Sequence, residues 1–128
     1  MKSRDSLIRL KRFQVDEKRR RMAQIEAMIN EFTRMANDLE REIATEEQRS
    51  GINDSTHFAY STYARAARTR RDNVMQSADE LRGQLEEARQ RLEESIEELG
   101  KVQSLEGREK AGEPIANASV QSLRVAGA

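Results

Sequence analysis

The sequence predicts an all-α fold: a long antiparallel two-helix coiled-coil hairpin with a disordered C-terminal tail. Three observations lead there. Apolar residues recur at alternating gaps of three and four along two stretches of the chain. A short segment, Ser50-Gly51-Ile52-Asn53-Asp54-Ser55, separates those stretches. The segments that a hairpin would lay side by side carry opposite net charges.

Composition fits a narrow seam better than a compact core. Of the 128 residues, 36% are apolar and 4% aromatic, whereas charged residues make up 36%. Globular domains average about 45–50% apolar, a figure that also counts glycine. Two helices sharing one apolar stripe need much less. The length suits a single unit, with a hairpin over residues 1–110 and a flexible tail over 111–128.

The first helix is expected over about residues 4–49. No Pro or Gly interrupts Ser6 to Gln48. One heptad series reads Ile8, Val15, Met22, Ile29, Ala36, Ile43, all apolar; its companion reads Lys11, Lys18, Ile25, Phe32, Leu39, Glu46. The seam is therefore strongest from Met22 to Ile43, with Leu7, Met28 and Met35 widening it on one flank. A strict seven-residue repeat predicts left-handed supercoiling.

The turn is expected at 50–55. Gly51 suits the left-handed residue that ends a helix, and Asp54, Ser55 or Thr56 can cap the next one. The second helix is expected over about 56–108. Its two series are Tyr60, Ala67, Val74, Leu81, Ala88, Ser95, Val102 and Ala64, Arg71, Ala78, Leu85, Leu92, Leu99, Glu106. Gly83 and Gly100 fall off the seam and cost roughly 1 kcal/mol each relative to Ala. Glu87–Arg91 and Glu97–Lys101 have the favoured i, i+4 order. Beyond Gly107 the pattern dissolves, and Gly112 and Pro114 oppose further helix.

Two such helices, each ~45–50 residues and roughly 70 Å long, can fold back on one another. A register centred near Asn53 sets Ile8 by Leu99, Val15 by Leu92, Met22 by Leu85, Ile29 by Ala78 and Ile43 by Ala64. Its one defect sets Arg71 against Ala36, with the arginine stem along the seam and the guanidinium reaching water. The same register lays residues 1–22 (nine basic, three acidic, net +6) beside 85–106 (three basic, seven acidic, net −4). A dimer of unbroken helices would also satisfy the heptads. Gly51 and the Asn-Asp-Ser caps favour the intramolecular, monomeric hairpin.

Little in the sequence supports catalysis. There is no cysteine and one histidine, His57, which reads as a surface or capping residue. No Gly-rich phosphate loop and no metal-ligand cluster occurs, so no enzyme activity, cofactor or metal is expected. No apolar run reaches the ~18–20 residues needed to span a bilayer, and the basic start lacks the apolar stretch of a secretory signal. A soluble cytoplasmic protein is the expectation. Lys18-Arg19-Arg20-Arg21 and the group Arg65, Arg68, Arg70, Arg71 could bind phosphate, but aromatics that stack on bases are sparse beside them. No nucleic-acid partner is expected. Phe58, Tyr60 and Tyr63 cluster after the turn. Tyr60 suits the seam, and the other two suit either the hairpin tip or a partner surface.

The opening Leu7-Ile8-Arg9-Leu10-Lys11-Arg12-Phe13, the post-turn Phe58-Ala59-Tyr60-Ser61-Thr62-Tyr63, and Arg70-Arg71-Asp72-Asn73 leading into a Glu-rich helix carry a resemblance. Over about residues 4–110 the chain resembles the FliJ family of flagellar type III export proteins, in its alphaproteobacterial flavour. The resemblance implies a stalk-like, non-enzymatic two-helix coiled coil serving flagellum assembly and motility. It would be cytoplasmic and peripheral to the inner membrane at the flagellar base. Its implied partners are the export ATPase ring, the cytoplasmic domain of the export gate membrane protein, and export chaperones. Carried over, the ATPase end comprises Leu7, Ile8, Leu10, Lys11, Arg12 and Phe13, with Leu99 and Val102. The gate-facing candidates are Phe32, Met35, Leu39, Tyr60, Ala64, Ala67 and Arg71. The family usually continues its second helix with further charged turns; Gly107, Gly112 and Pro114 depart from that. A generic homo-oligomeric coiled coil, or a basic nucleic-acid-binding hairpin, are the alternatives.

Overall fold

In a computed structural model, which describes residues 2–111 and the side chains of 3–108, the chain forms two long helices. They are α1 (Lys2–Ser50) and α2 (Thr62–Ala111), packed against each other as a helical hairpin with no strand among the described residues. Nearly all of the tail expected over 111–128 lies outside the described residues; only Ala111, the last residue of α2, is included.

Contacts group the chain into two units, Gln24–Leu85 and Met1–Ala23 with Glu86–Ala128. The Gln24–Leu85 unit holds the turn. Its core follows the heptads: Ile25, Ile29, Ala36, Leu39 and Ile43 from α1 are buried with Ala64, Ala67, Val74, Ala78 and Leu81 from α2. Ile25 is 2% exposed and Ala64 fully buried. Burying one Ile side chain contributes about 1.5–3 kcal/mol, so these layers outweigh the surface ion pairs. Phe32 and Met35 pack partly buried against the cluster of Ala36, Leu39, Ile43, Ala67 and Val74. In the other unit Ile8 and Val15 are buried with Ala88 and Ser95, and Lys11, Lys18, Leu92, Leu99 and Val102 are half-buried.

α1 ends as its sequence dictates. Gly51 adopts φ 76°, which only glycine takes without a Cβ penalty. Its N–H donates to the Glu47 carbonyl at 2.9 Å, closing the left-handed C-cap. α2, however, starts at Thr62 and not near 56. The Asp54 carboxylate accepts the Thr56 N–H (3.0 Å) and hydroxyl (2.7 Å). Two successive turns follow, with His57 N–H donating to Asp54 O and Tyr60 N–H to His57 O, both at 3.0 Å. Side-chain bonds of this kind satisfy the amides locally and compete with helix. The cap is Ser61, whose Oγ accepts the Ala64 N–H at 3.2 Å and donates to Glu46 Oε1 at 3.1 Å.

Tyr60–Glu47 and Ser61–Glu46 are symmetric about Asn53–Asp54, the expected centre of the register. Lys11–Glu98 (2.9 Å) and Arg71–Glu40 (2.5 Å) centre slightly beyond it, within the reach of long side chains. Arg71 therefore does not run out to water opposite Ala36. Its guanidinium is bonded to Glu40 on α1 and to Asp72, the latter at 2.9 and 3.1 Å. Those bonds, to Asp72 first and then Glu40, hold its pKa above the usual value. Arg71–Asp72 apart, the ion pairs within the described helices run i, i+3, as in Glu17–Arg20, Glu31–Arg34, Asp38–Arg41, Asp79–Arg82 and Glu86–Arg89. The expected Glu87–Arg91 and Glu97–Lys101 are not among them. Each such pair contributes only about 0.2–0.5 kcal/mol.

Candidate functional site

The site begins with what α1 leaves uncovered in its first four turns. Ile8 (6% exposed) and Val15 turn inward and fix the rotation of the helix. Leu7 (40%), Leu10 (50%) and Phe13 (57%) then face outward. Lys11 lies along the seam and donates to Glu98 Oε2, which holds the Glu98 carboxyl below its ordinary value, chiefly through that bond. Arg12 is exposed and makes no ion pair among the described residues. Of the eight residues expected at this end, Leu7, Leu10, Arg12 and Phe13 are therefore open to a partner. Ile8 is committed to the core, and Lys11, Leu99 and Val102 are half-buried.

The second candidate surface divides differently. Leu39, Tyr60, Ala64 and Ala67 are buried in the seam, and Arg71 is held by Glu40 and Asp72. Only Phe32 and Met35, half-buried, offer side-chain surface. Seam positions cannot serve a partner unless the helices part.

The turn presents a third feature. The His57 ring stacks on Phe58 with centroids 4.8 Å apart, and His57 Nδ1 accepts the Ala59 N–H at 3.0 Å. His57 is thus a local cap. Phe58 is 94% exposed and Tyr63 57%, whereas Tyr60 is buried at 4%. The Tyr60 hydroxyl donates to Glu47 Oε2 at 2.7 Å. Arg65 and Arg68 sit over its ring at 5.5 and 5.8 Å, a cation–π arrangement.

Four of the eight residues in the two basic groups are engaged within the chain. Arg65 and Arg68 engage Tyr60 and Arg71 engages two carboxylates, which leaves Arg70 of that group without such a partner among the described residues. Lys18–Arg21 occupy a single helical turn, so their side chains point around the whole circumference. Lys18 is half-buried toward the seam, and Arg20 is bonded to Glu17 at 2.6 Å. No row of cations tracks a phosphate backbone here.

Among the described residues no group of three or more His, Asp or Glu is placed to hold a metal ion. No helix among the described residues is long and apolar enough to cross a membrane. No family model, curated protein or solved structure matches the chain.

The heptads located the buried residues of the expected sites but gave no measure of which neighbours remain open. Ser61 was missed because Asp54, Ser55 and Thr56 offer equally good capping chemistry upstream.

Proposed function

We propose that the chain is a non-enzymatic component of a flagellar type III protein export apparatus. It would be a stalk-like adaptor that binds the export ATPase ring through its terminal end, contacts the export gate and assists chaperone and substrate delivery. It would act in the cytoplasm, peripheral to the inner membrane at the flagellar base. The observation that carries this reading is the uncovered Leu7, Leu10, Arg12 and Phe13 on a helix whose inward face is fully occupied. Phe and Arg are among the residue types enriched in protein interfaces, and Arg12 makes no ion pair among the described residues. The mechanism is geometric and electrostatic: a preformed helix pair inserts a basic, apolar end among ring subunits and biases their arrangement.

The test is the affinity of the Arg12→Glu, Phe13→Ala double variant for purified flagellar export ATPase. Both side chains are exposed, so helicity is expected to persist while binding weakens. A Lys11 substitution is less clean, since it also removes the bond to Glu98. Unchanged affinity, with helicity confirmed by circular dichroism, removes this assignment. For the gate, Phe32 and Met35 are the contacts to substitute first.

A further inference from the structure

The segment between the helices holds the chain's only histidine, His57. Its backbone bonds, from His57 N–H to the Asp54 carbonyl and from Tyr60 N–H to the His57 carbonyl, are both 3.0 Å long and do not involve the imidazole. The imidazole adds a bond and a ring contact. Its Nδ1 accepts the Ala59 N–H at 3.0 Å, and its ring stacks on Phe58 with the two planes 21° apart.

An accepting Nδ1 has a defined protonation state. Its lone pair is free, so the ring is neutral and carries its proton on Nε2. A second proton goes onto that same lone pair and turns Nδ1 into a donor facing another donor. The Ala59 bond cannot survive that change. Imidazole is the side chain that ordinarily gains its proton near neutrality.

The surrounding groups do not bar the proton. Asp54, in the same segment, attracts the charged ring, and the face of Phe58 also favours a cation. Of the charged groups that end α1, Glu46 and Arg49 pair with each other, and Glu47 accepts the Tyr60 hydroxyl. Of those that open α2, Arg65 and Arg68 lie over the Tyr60 ring, with Arg68 Nε also 3.9 Å from Glu47. The helix charges are thus directed at Tyr60 and at one another. What the proton has to displace is the bond to Ala59.

We propose that His57 is a pH-dependent latch on the segment between the helices: neutral, it holds residues 57–59 closed through the Ala59 N–H, and protonated, it releases that amide and lets the exposed Phe58 ring move with it. The latch lies just ahead of Tyr60, which enters the seam. It does not depend on the export reading, because no residue of the terminal end takes part.

Nuclear magnetic resonance of the full chain between about pH 8 and pH 5 tests this. At the alkaline end the imidazole nitrogen shifts are expected to show the proton on Nε2, with the Ala59 amide protected from exchange. On acidification the Ala59 protection factor is expected to fall about two- to tenfold, the share of one ordinary hydrogen bond, in step with the titration of the ring. The Thr56 amide, held by the Asp54 carboxylate at 3.0 Å, is expected to keep its protection. His57→Asn supplies a side-chain oxygen that can accept the same N–H and does not titrate; its Ala59 amide should stay protected at both ends. His57→Ala should leave that amide unprotected at both. A neutral ring with its proton on Nδ1 overturns the proposal. So does Ala59 protection that stays constant while the ring titrates, or a fall in His57→Asn as large as in wild type.

Discussion

The Tyr60 hydroxyl donates to Glu47 Oε2 at 2.7 Å, tying the residue that enters the seam just before α2 to the last turns of α1. Burial, and next the bond to Glu47, raise the Tyr60 pKa above its ordinary value of 10.0. Tyr60 therefore contributes stability that is present below that value and is lost as pH rises through its higher folded value. Tyr60→Phe keeps the ring in the seam and deletes the tie. Its thermal midpoint is expected to fall modestly at neutral pH and to lose part of the wild type's decline at alkaline pH. Identical melting curves at both pH values would contradict the tie.

Ser61 fixes where α2 starts. Ser61→Ala removes both the bond from the Ala64 N–H and the bond to Glu46, and is expected to cost about 0.5–2 kcal/mol. Thr56→Ala, which touches only the Asp54 turn, is expected to cost less. Urea unfolding of the two variants distinguishes Ser61 from the upstream candidates as the cap; equal losses would mean that α2 is not capped there.

Ile25 and Met28 lie one helical turn apart and differ in what they touch. Ile25 is 2% exposed and Met28 45%. Ile25→Ala is expected to destabilise by about 2–5 kcal/mol, and Met28→Ala to stay within about 0.5 kcal/mol. Denaturant midpoints compare them directly. A large loss at Met28 would mean that the flank is covered in solution, and a small loss at Ile25 would mean that the seam is not formed.

The acidic limb follows from carboxylates held below their ordinary values. Glu98 is bonded to Lys11, Asp54 to Thr56 and Glu86 to Arg89. Their contribution is full above the ordinary values, 4.5 for the glutamates and 3.8 for the aspartate, and is lost as pH falls through the lower folded values. All three groups are exposed, so the effect is small and screened by salt. Lys11→Met is expected to flatten the pH dependence of the urea midpoint below about pH 4.5. An unchanged slope would show that the Lys11–Glu98 bond does not persist in solution.

The fold was legible because burial on a long helix repeats with a fixed period. Every residue assigned to the two seams is buried or half-buried, down to Ser95 and Arg71. Gly51 was legible because a positive φ strongly favours a single residue type. The start of α2 was not, because Asp54, Ser55, Thr56 and Ser61 are chemically alike as caps, and the choice depends on bonds to Glu46 and Glu47 from the other helix. The candidate site was half legible. The opening motif singled out Leu7, Ile8, Leu10, Lys11, Arg12 and Phe13, of which Ile8 is buried and Lys11 half-buried, and seam periodicity placed Leu39, Tyr60, Ala64 and Ala67 in the core at the same time. A residue cannot fill both roles in a closed hairpin.

The measurement that bears most directly on the central claim is co-sedimentation of the protein with purified flagellar export ATPase, with ATP turnover followed in its presence and absence. The account predicts binding, with ring assembly or turnover stimulated, and both effects lost in the Arg12→Glu, Phe13→Ala variant. A helical, well-folded protein that neither binds the ATPase nor changes its turnover would contradict the claim, while leaving the two-helix hairpin as it stands.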